Sequence, residues 1–135
     1  MTAPLIARIN PPELGTPPGY SQVVEVSGNR IIFVAGQTAL DRDGNVVGKG
    51  DFPKQAAQVF DKLTIALRAA GCTAANLVKL TVFLTNMDNL LAYREARNRF
   101  FASVTPPAAP AVTLVEVSKL YGPDFLIEIE AIAAI

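Results

Sequence analysis

The sequence predicts a single α+β domain, a two-layer sandwich in which two helices pack on one face of a mixed sheet. Three observations predict it. Strand-like and helix-like patterns alternate along 135 residues without a repeat or linker, and half of those residues are hydrophobic. That is enough apolar material for one core without disulfide staples. The elements also run strand, strand, helix, strand, helix, strand, strand, an order that leaves both helices on the same side of the sheet. Residues 1–135 therefore read as one domain.

The first two strands, Ser21 to Ser27 and Arg30 to Gly36, flank the turn residues Ser27, Gly28 and Asn29 and read as a hairpin. A second turn at residues 41–45, Asp-Arg-Asp-Gly-Asn, leads into a short extended piece at Val46 and Val47. Asp51 can cap the helix that follows, and Pro53 is tolerated in its first turn. Ala56, Val59, Phe60, Leu63, Ala66, Leu67 and Ala70 share one helical face, and Gly71 stops the helix. Val78 to Thr85 is a strand with Val78, Leu80, Val82 and Leu84 on one side. A second helix spans about 87–102, and a proline-rich segment at 105–110 follows it. Strands near 111–117 and 125–133 complete the pattern.

The last strand carries the chemistry. From Phe125 to Ile135 the chain reads as a buried strand, yet it holds Glu128 and Glu130. Alternation puts Leu126, Glu128, Glu130 and Ile132 on one face and Phe125, Ile127, Ile129 and Ala131 on the other. A carboxylate withdrawn from water needs hydrogen bonds or a cation, or else it takes up a proton. General acid/base catalysis uses carboxyls held in that way. The plainer alternative is an edge strand with a wet acidic face.

Composition excludes much else. Twelve basic residues balance twelve acidic ones, so nothing marks a nucleic-acid or polyanion surface. Charged residues are 18% of the chain against 50% hydrophobic, which points to apolar area buried between subunits. Residues 1–10 lack the pattern of a signal peptide and no apolar run reaches membrane-span length, so a soluble, cytoplasmic protein is expected. With no histidine, Ser-His-Asp and Cys-His mechanisms and histidine-based metal sites are out. Cys72, the single cysteine, sits just past the helix-stopping glycine and reads as a passive structural thiol. No P-loop or G-x-G-x-x-G supports a nucleotide cofactor.

Read in order, Gly19-Tyr20-Ser21, residues 33–37 (Phe-Val-Ala-Gly-Gln), 43–45 (Asp-Gly-Asn), 69–71 (Ala-Ala-Gly), 78–83 (Val-Lys-Leu-Thr-Val-Phe), 115–117 (Val-Glu-Val) and 127–133 (Ile-Glu-Ile-Glu-Ala-Ile-Ala) resemble the Rid family of reactive-intermediate deaminases, also called YjgF proteins. The resemblance covers nearly the whole chain. It implies a chorismate-mutase-like fold and a homotrimer whose three sheets line a central barrel, with a cleft between each pair of neighbours. Archetypal members hydrolyse enamines and imines such as 2-aminoacrylate to a keto acid and ammonia, without metal or organic cofactor.

Carried over by position, Glu128 matches the family glutamate that positions or activates the attacking water. Tyr20 matches the cleft tyrosine, and Gly36 and Leu114 match positions whose backbone faces the ligand. The family serine before Gly-Gln is here Ala35. Where the archetypes present an arginine that grips the substrate carboxylate in a two-pronged hydrogen bond, this chain has Val112. It thus resembles the arginine-less Rid subgroups.

A substitute cation is available on the second helix. Leu90, Tyr93, Arg97, Phe100 and Phe101 project from one arc, with Arg97 among the aromatics. Either Arg97 snorkels or forms a fixed interface salt bridge, with Glu128, Glu130 or Glu116 as partners, or it reaches the cleft and binds ligand. Glu116 and Glu130 read as structural pairs of Lys or Arg across the interface, Lys79 being one candidate. The expected activity is enamine or imine hydrolysis on a substrate other than a simple imino acid. The alternatives are a non-catalytic ligand-binding or regulatory trimer, and a ring-opening or hydrolytic step on a different nitrogen-containing intermediate. An endoribonuclease would lack a basic groove, a stacking platform and a histidine.

Overall fold

The computed structural model describes residues 5–28 and 30–135. Eight elements of regular structure appear among them: β1 (Ile6–Ile9), β2 (Val23–Val26), β3 (Ile31–Gln37), α1 (Phe52–Ala69), β4 (Leu77–Leu84), α2 (Leu90–Phe101), β5 (Ala111–Glu116) and β6 (Ile127–Ala134), with short 3-10 turns between some of them. The main sheet has the order β3-β6-β4-β5. The pairs β3–β6 and β4–β6 are antiparallel and β4–β5 is parallel, so the sheet is mixed. β1 and β2 form a separate antiparallel ribbon. No helix among the described residues is long and apolar enough to cross a membrane.

The expected hairpin between the second and third strands is not formed. Both strands exist, but β2 pairs with β1 and β3 pairs with β6. Asn29, in the expected turn, lies outside the described residues. Turn residues signal a change of direction and carry no information about a partner almost a hundred residues away. The ribbon partner Ile6–Ile9 was not anticipated at all; four residues are too few for a periodic signal.

The helices begin and end as their sequences dictate. The Asp51 carboxylate accepts the Lys54 N–H at 3.1 Å, satisfying one of the donors that a helix start leaves free, and Pro53 sits in the first turn. Gly71 takes φ +77° past the last turn. The second helix is preceded by a 3-10 turn at Met87–Asn89, whose Met87 N–H donates to Glu116 at 2.7 Å. Glu116 therefore caps a turn in its own chain, a role other than the cross-interface pairing expected for it. In the 41–45 turn, Asp41 accepts from the Asn45 N–H and, more weakly, the Asp43 N–H, which holds its carboxyl below the usual carboxylate range.

One core lies between the sheet and the helices. Val59, Leu63 and Leu67 of α1 meet Leu80, Val82 and Leu84 of β4 and Ile127, Ile129 and Ala133 of β6, all fully buried. Cys72 is buried there as a free thiol. Val78 does not join the inward row. A bulge between Leu77 and Lys79 shifts the register against β6, so Leu77 and Leu80 both point inward and Val78 is left half-buried.

Gln55, also fully buried, was missed in the helical pattern because it is polar. Its Nε2 donates to the carbonyls of Gly48 (3.2 Å) and Asp124 (2.7 Å), and its Oε1 accepts the Leu126 N–H (2.9 Å). The amide is satisfied in both roles, which is the condition for burying it.

Candidate active site

β6 is central rather than an edge, and its two faces separate as alternation requires. Ile127, Ile129, Ala131 and Ala133 enter the core, while Glu128 and Ile132 are half-buried and Glu130 exposed on the opposite face. No helix among the described residues covers that second face. The acids therefore avoid the cost of burial under the helices, and the wet-edge alternative fails because both edges of β6 are paired.

Glu128 is placed by an irregularity in the neighbouring strand. Between Val34 and Gln37 the β3–β6 register slips by one residue, a bulge at Ala35-Gly36. A methyl group at Gly36 would lie 2.0 Å from Glu128 Oε2. Only a residue without a side chain lets the carboxylate rest against the backbone here. Ala35, one position earlier, is exposed and joins Phe33, Lys79, Thr81 and Glu130 around a shallow hollow of ≈ 330 Å³. Lys79 donates to Thr113 Oγ1 at 2.6 Å; among the described residues it forms no ion pair.

The other expected residues sit elsewhere. Val112 and Leu114 of β5 pair with Leu80 and Val82, so they lie on the helix-side face. With Tyr20, Leu90, Tyr93, Arg94 and Arg97 they line a hollow of ≈ 250 Å³. Tyr20 is brought to the sheet edge because Ser21 bridges Ala111 and its N–H donates to the Pro110 carbonyl at 3.0 Å. Within one chain, then, Glu128 with Ala35 and Gly36 occupies one face of the sheet, and Tyr20, Arg97, Val112 and Leu114 gather beside the other.

Arg97 lies among the aromatics as the helical arc predicts. It is 8% exposed, and its guanidinium carbon is 5.9 Å from the ring centroids of both Tyr93 and Phe101. No acid of its own chain answers it among the described residues: Nε and Nη2 donate to the Asn98 side-chain oxygen at 3.3 and 3.1 Å, and the one ion pair among those residues is Lys49–Asp124. Cation–π contacts offset about 0.5–2 kcal/mol each. Withdrawing an ion from water costs several kcal/mol. The guanidinium is thus under-compensated within its own chain.

Two lining residues escaped the sequence reading. Tyr93 enters that reading only as one of the aromatics on the arc of Arg97, and Arg94 does not enter it. Burial pushes the Tyr93 phenol up to about 12, with Arg97 and Arg94 pulling it back, and its hydroxyl has no hydrogen-bond partner among the described residues. A larger hollow, ≈ 480 Å³, is lined by Thr85, Ser118, Tyr121 and Phe125 among others, and contains none of the expected residues and no carboxylate.

Residues 13–135 match the family model described as Endoribonuclease L-PSP. The chain is 36% identical to a RutC family protein of Synechocystis, over 86% of this chain and 85% of that one. It is 34% identical to the mouse 2-iminobutanoate/2-iminopropanoate deaminase, over 84% of this chain and 79% of the relative. A crystal structure of a protein of unknown function from the conserved Rid family of Yersinia pestis superposes with a TM-score of 0.85 at 33% identity, over 97% of this chain and 99% of that one.

Proposed function

The chain belongs to the Rid (YjgF) family, and from that premise we propose that it is an enamine/imine deaminase working in clefts between the copies of a homotrimer. The observation that carries this reading is the Glu128 carboxylate, set against Gly36 on the face of the sheet that no helix covers. Tyr20, Arg97, Val112 and Leu114 lie beside the other face, so a cleft holding all of them with Glu128 takes its two walls from different chains. The open face has the apolar surface that such an assembly needs: Phe33 is 76% exposed and Ile31 61%.

The chemistry requires little machinery. An enamine tautomerises to the imine, water adds to the C=N carbon, and the tetrahedral carbinolamine expels ammonia to leave a carbonyl. Glu128 takes a proton from the attacking water and passes it to the imine nitrogen, then takes the carbinolamine hydroxyl proton and passes it to the departing amine, so the carboxylate is regenerated each cycle and no metal or organic cofactor is called for. Tyr20 orients the substrate, and the backbone at Gly36 and Leu114 faces it. Ala35 leaves out a hydroxyl. Val112 binds no carboxylate, so the substrate is bulkier or less acidic than a simple imino acid. The mouse relative's named activity is of this reaction class. The family description names an endoribonuclease, a reading with little support from a chain of zero net charge without histidine.

The test is Glu128→Gln, assayed for imine hydrolysis in protein whose assembly is checked by light scattering. The expected loss is about 10²–10⁴-fold; an unchanged rate removes Glu128 from the mechanism. The second reading, a ligand-binding or regulatory trimer without turnover, is favoured by Ala35 and Val112. It predicts saturable binding across an imine panel and no ammonia release.

A further inference from the structure

The hollow beside α2 holds positive charge that the chain does not neutralise. Arg97 is more than nine-tenths buried, and the nitrogens that find partners spend themselves on one neutral acceptor, the Asn98 side-chain oxygen. Arg94, exposed one turn earlier on the same helix, lines the same space and adds a second cation. Tyr93, 1% exposed, forms part of the wall with a hydroxyl that has no partner among the described residues. No acidic side chain lines the hollow, and its remaining surface comes from Val112, Leu114, Leu90 and Tyr20.

We propose that this hollow is a carboxylate subsite. Arg94 and the uncommitted edge of Arg97 grip the anionic end of a small ligand, and Val112 and Leu114 hold its apolar part. The Tyr93 hydroxyl stays protonated at neutral pH and supplies a donor under the two cations. At ≈ 250 Å³ the space accommodates a small monocarboxylate. A guanidinium buried without an acid is a site waiting for one, and a carboxylate satisfies both its charge and its fork of donors.

This inference rests on the deaminase reading and deepens it. The substrate becomes an imine that carries a carboxylate together with an apolar group larger than a methyl. Its anion is held from α2, because position 112 cannot hold it. An acidic side chain of a neighbouring copy would have the same chemistry as a ligand carboxylate, and the experiment separates the two sources.

Calorimetry on the assembled protein compares 3-methylbutanoate with 3-methylbutanamide, which differ only in the charged group. The acid is expected to bind at least tenfold tighter than the amide, with an affinity that falls as salt is raised. Arg94→Gln, at an exposed position that leaves folding intact, is expected to cut that preference at least threefold, and Arg97→Met to abolish it in protein that still assembles. Equal binding of acid and amide, or an acid preference unchanged in Arg94→Gln, overturns the proposal. So does a wild-type protein that binds neither probe while Arg97→Met dissociates into monomers, since a neighbour's side chain then fills the subsite. Glu128→Gln is expected to keep the acid preference. Lost turnover with retained preference is the expected pair, whereas wild-type protein that prefers the acid yet hydrolyses no imine sinks the catalytic reading and leaves the subsite standing.

Discussion

The two faces of β6 do opposite work with neighbouring residues. Ile127, Ile129, Ala131 and Ala133 are sealed beneath the helices, whereas Glu128, Glu130 and Ile132, each one position away, lie on a face that no helix covers. The first face holds the domain together with aliphatic side chains alone. The second contributes little to the stability of one chain, and for that reason it is free to carry carboxylates and an aromatic as exposed as Phe33. A strand buried on one side only can thus anchor a core and present reactive groups at once, and its pleat keeps the two functions from interfering.

That contrast can be broken at three places. Ile129→Ala should cost about 2–5 kcal/mol through lost burial and the cavity left behind, while Glu130→Gln, next to it on the other face, should stay within about 0.5 kcal/mol; urea denaturation of both variants measures the difference. Comparable losses would mean that the open face is a second core. Phe33→Asp should leave the folded chain intact but weaken self-association by about 1.5–3 kcal/mol per copy, the worth of one buried aromatic. Analytical ultracentrifugation reads it, and an unaltered oligomer would place the interface elsewhere. Gly36→Ala sharpens the contrast most finely. The added methyl collides with the Glu128 carboxylate, so imine turnover should drop roughly tenfold, about 1.4 kcal/mol in the barrier, while thermal stability changes little.

The elements set by local signals were legible in the sequence. Asp51 and Gly71 bracket α1 as their chemistry requires, the Asp41 turn forms, and the alternation of β6 puts its acids on one face. What was not legible is long-range. The supposed hairpin failed because β6, the last strand, inserts between β3 and β4, and no turn residue encodes that pairing. Val78 was misplaced because a bulge has no signature in a run of β-branched and aliphatic residues. At the site, the Glu128 face was readable from period two alone. Arg94 and Tyr93 were not, since a helix charge and a core aromatic acquire meaning only when β5 and Tyr20 close over them.

Gln55 has a consequence for the strand that carries Glu128. One amide fastens the carbonyls of Gly48 and Asp124 and the N–H of Leu126, so the segment that leads into β6 is riveted to the first turns of α1. Glutamate could accept from Leu126 but donate to neither carbonyl, and leucine could do neither, so few side chains could replace it. The backbone that delivers Glu128, two residues past Leu126, is consequently held against α1 by a polar rivet.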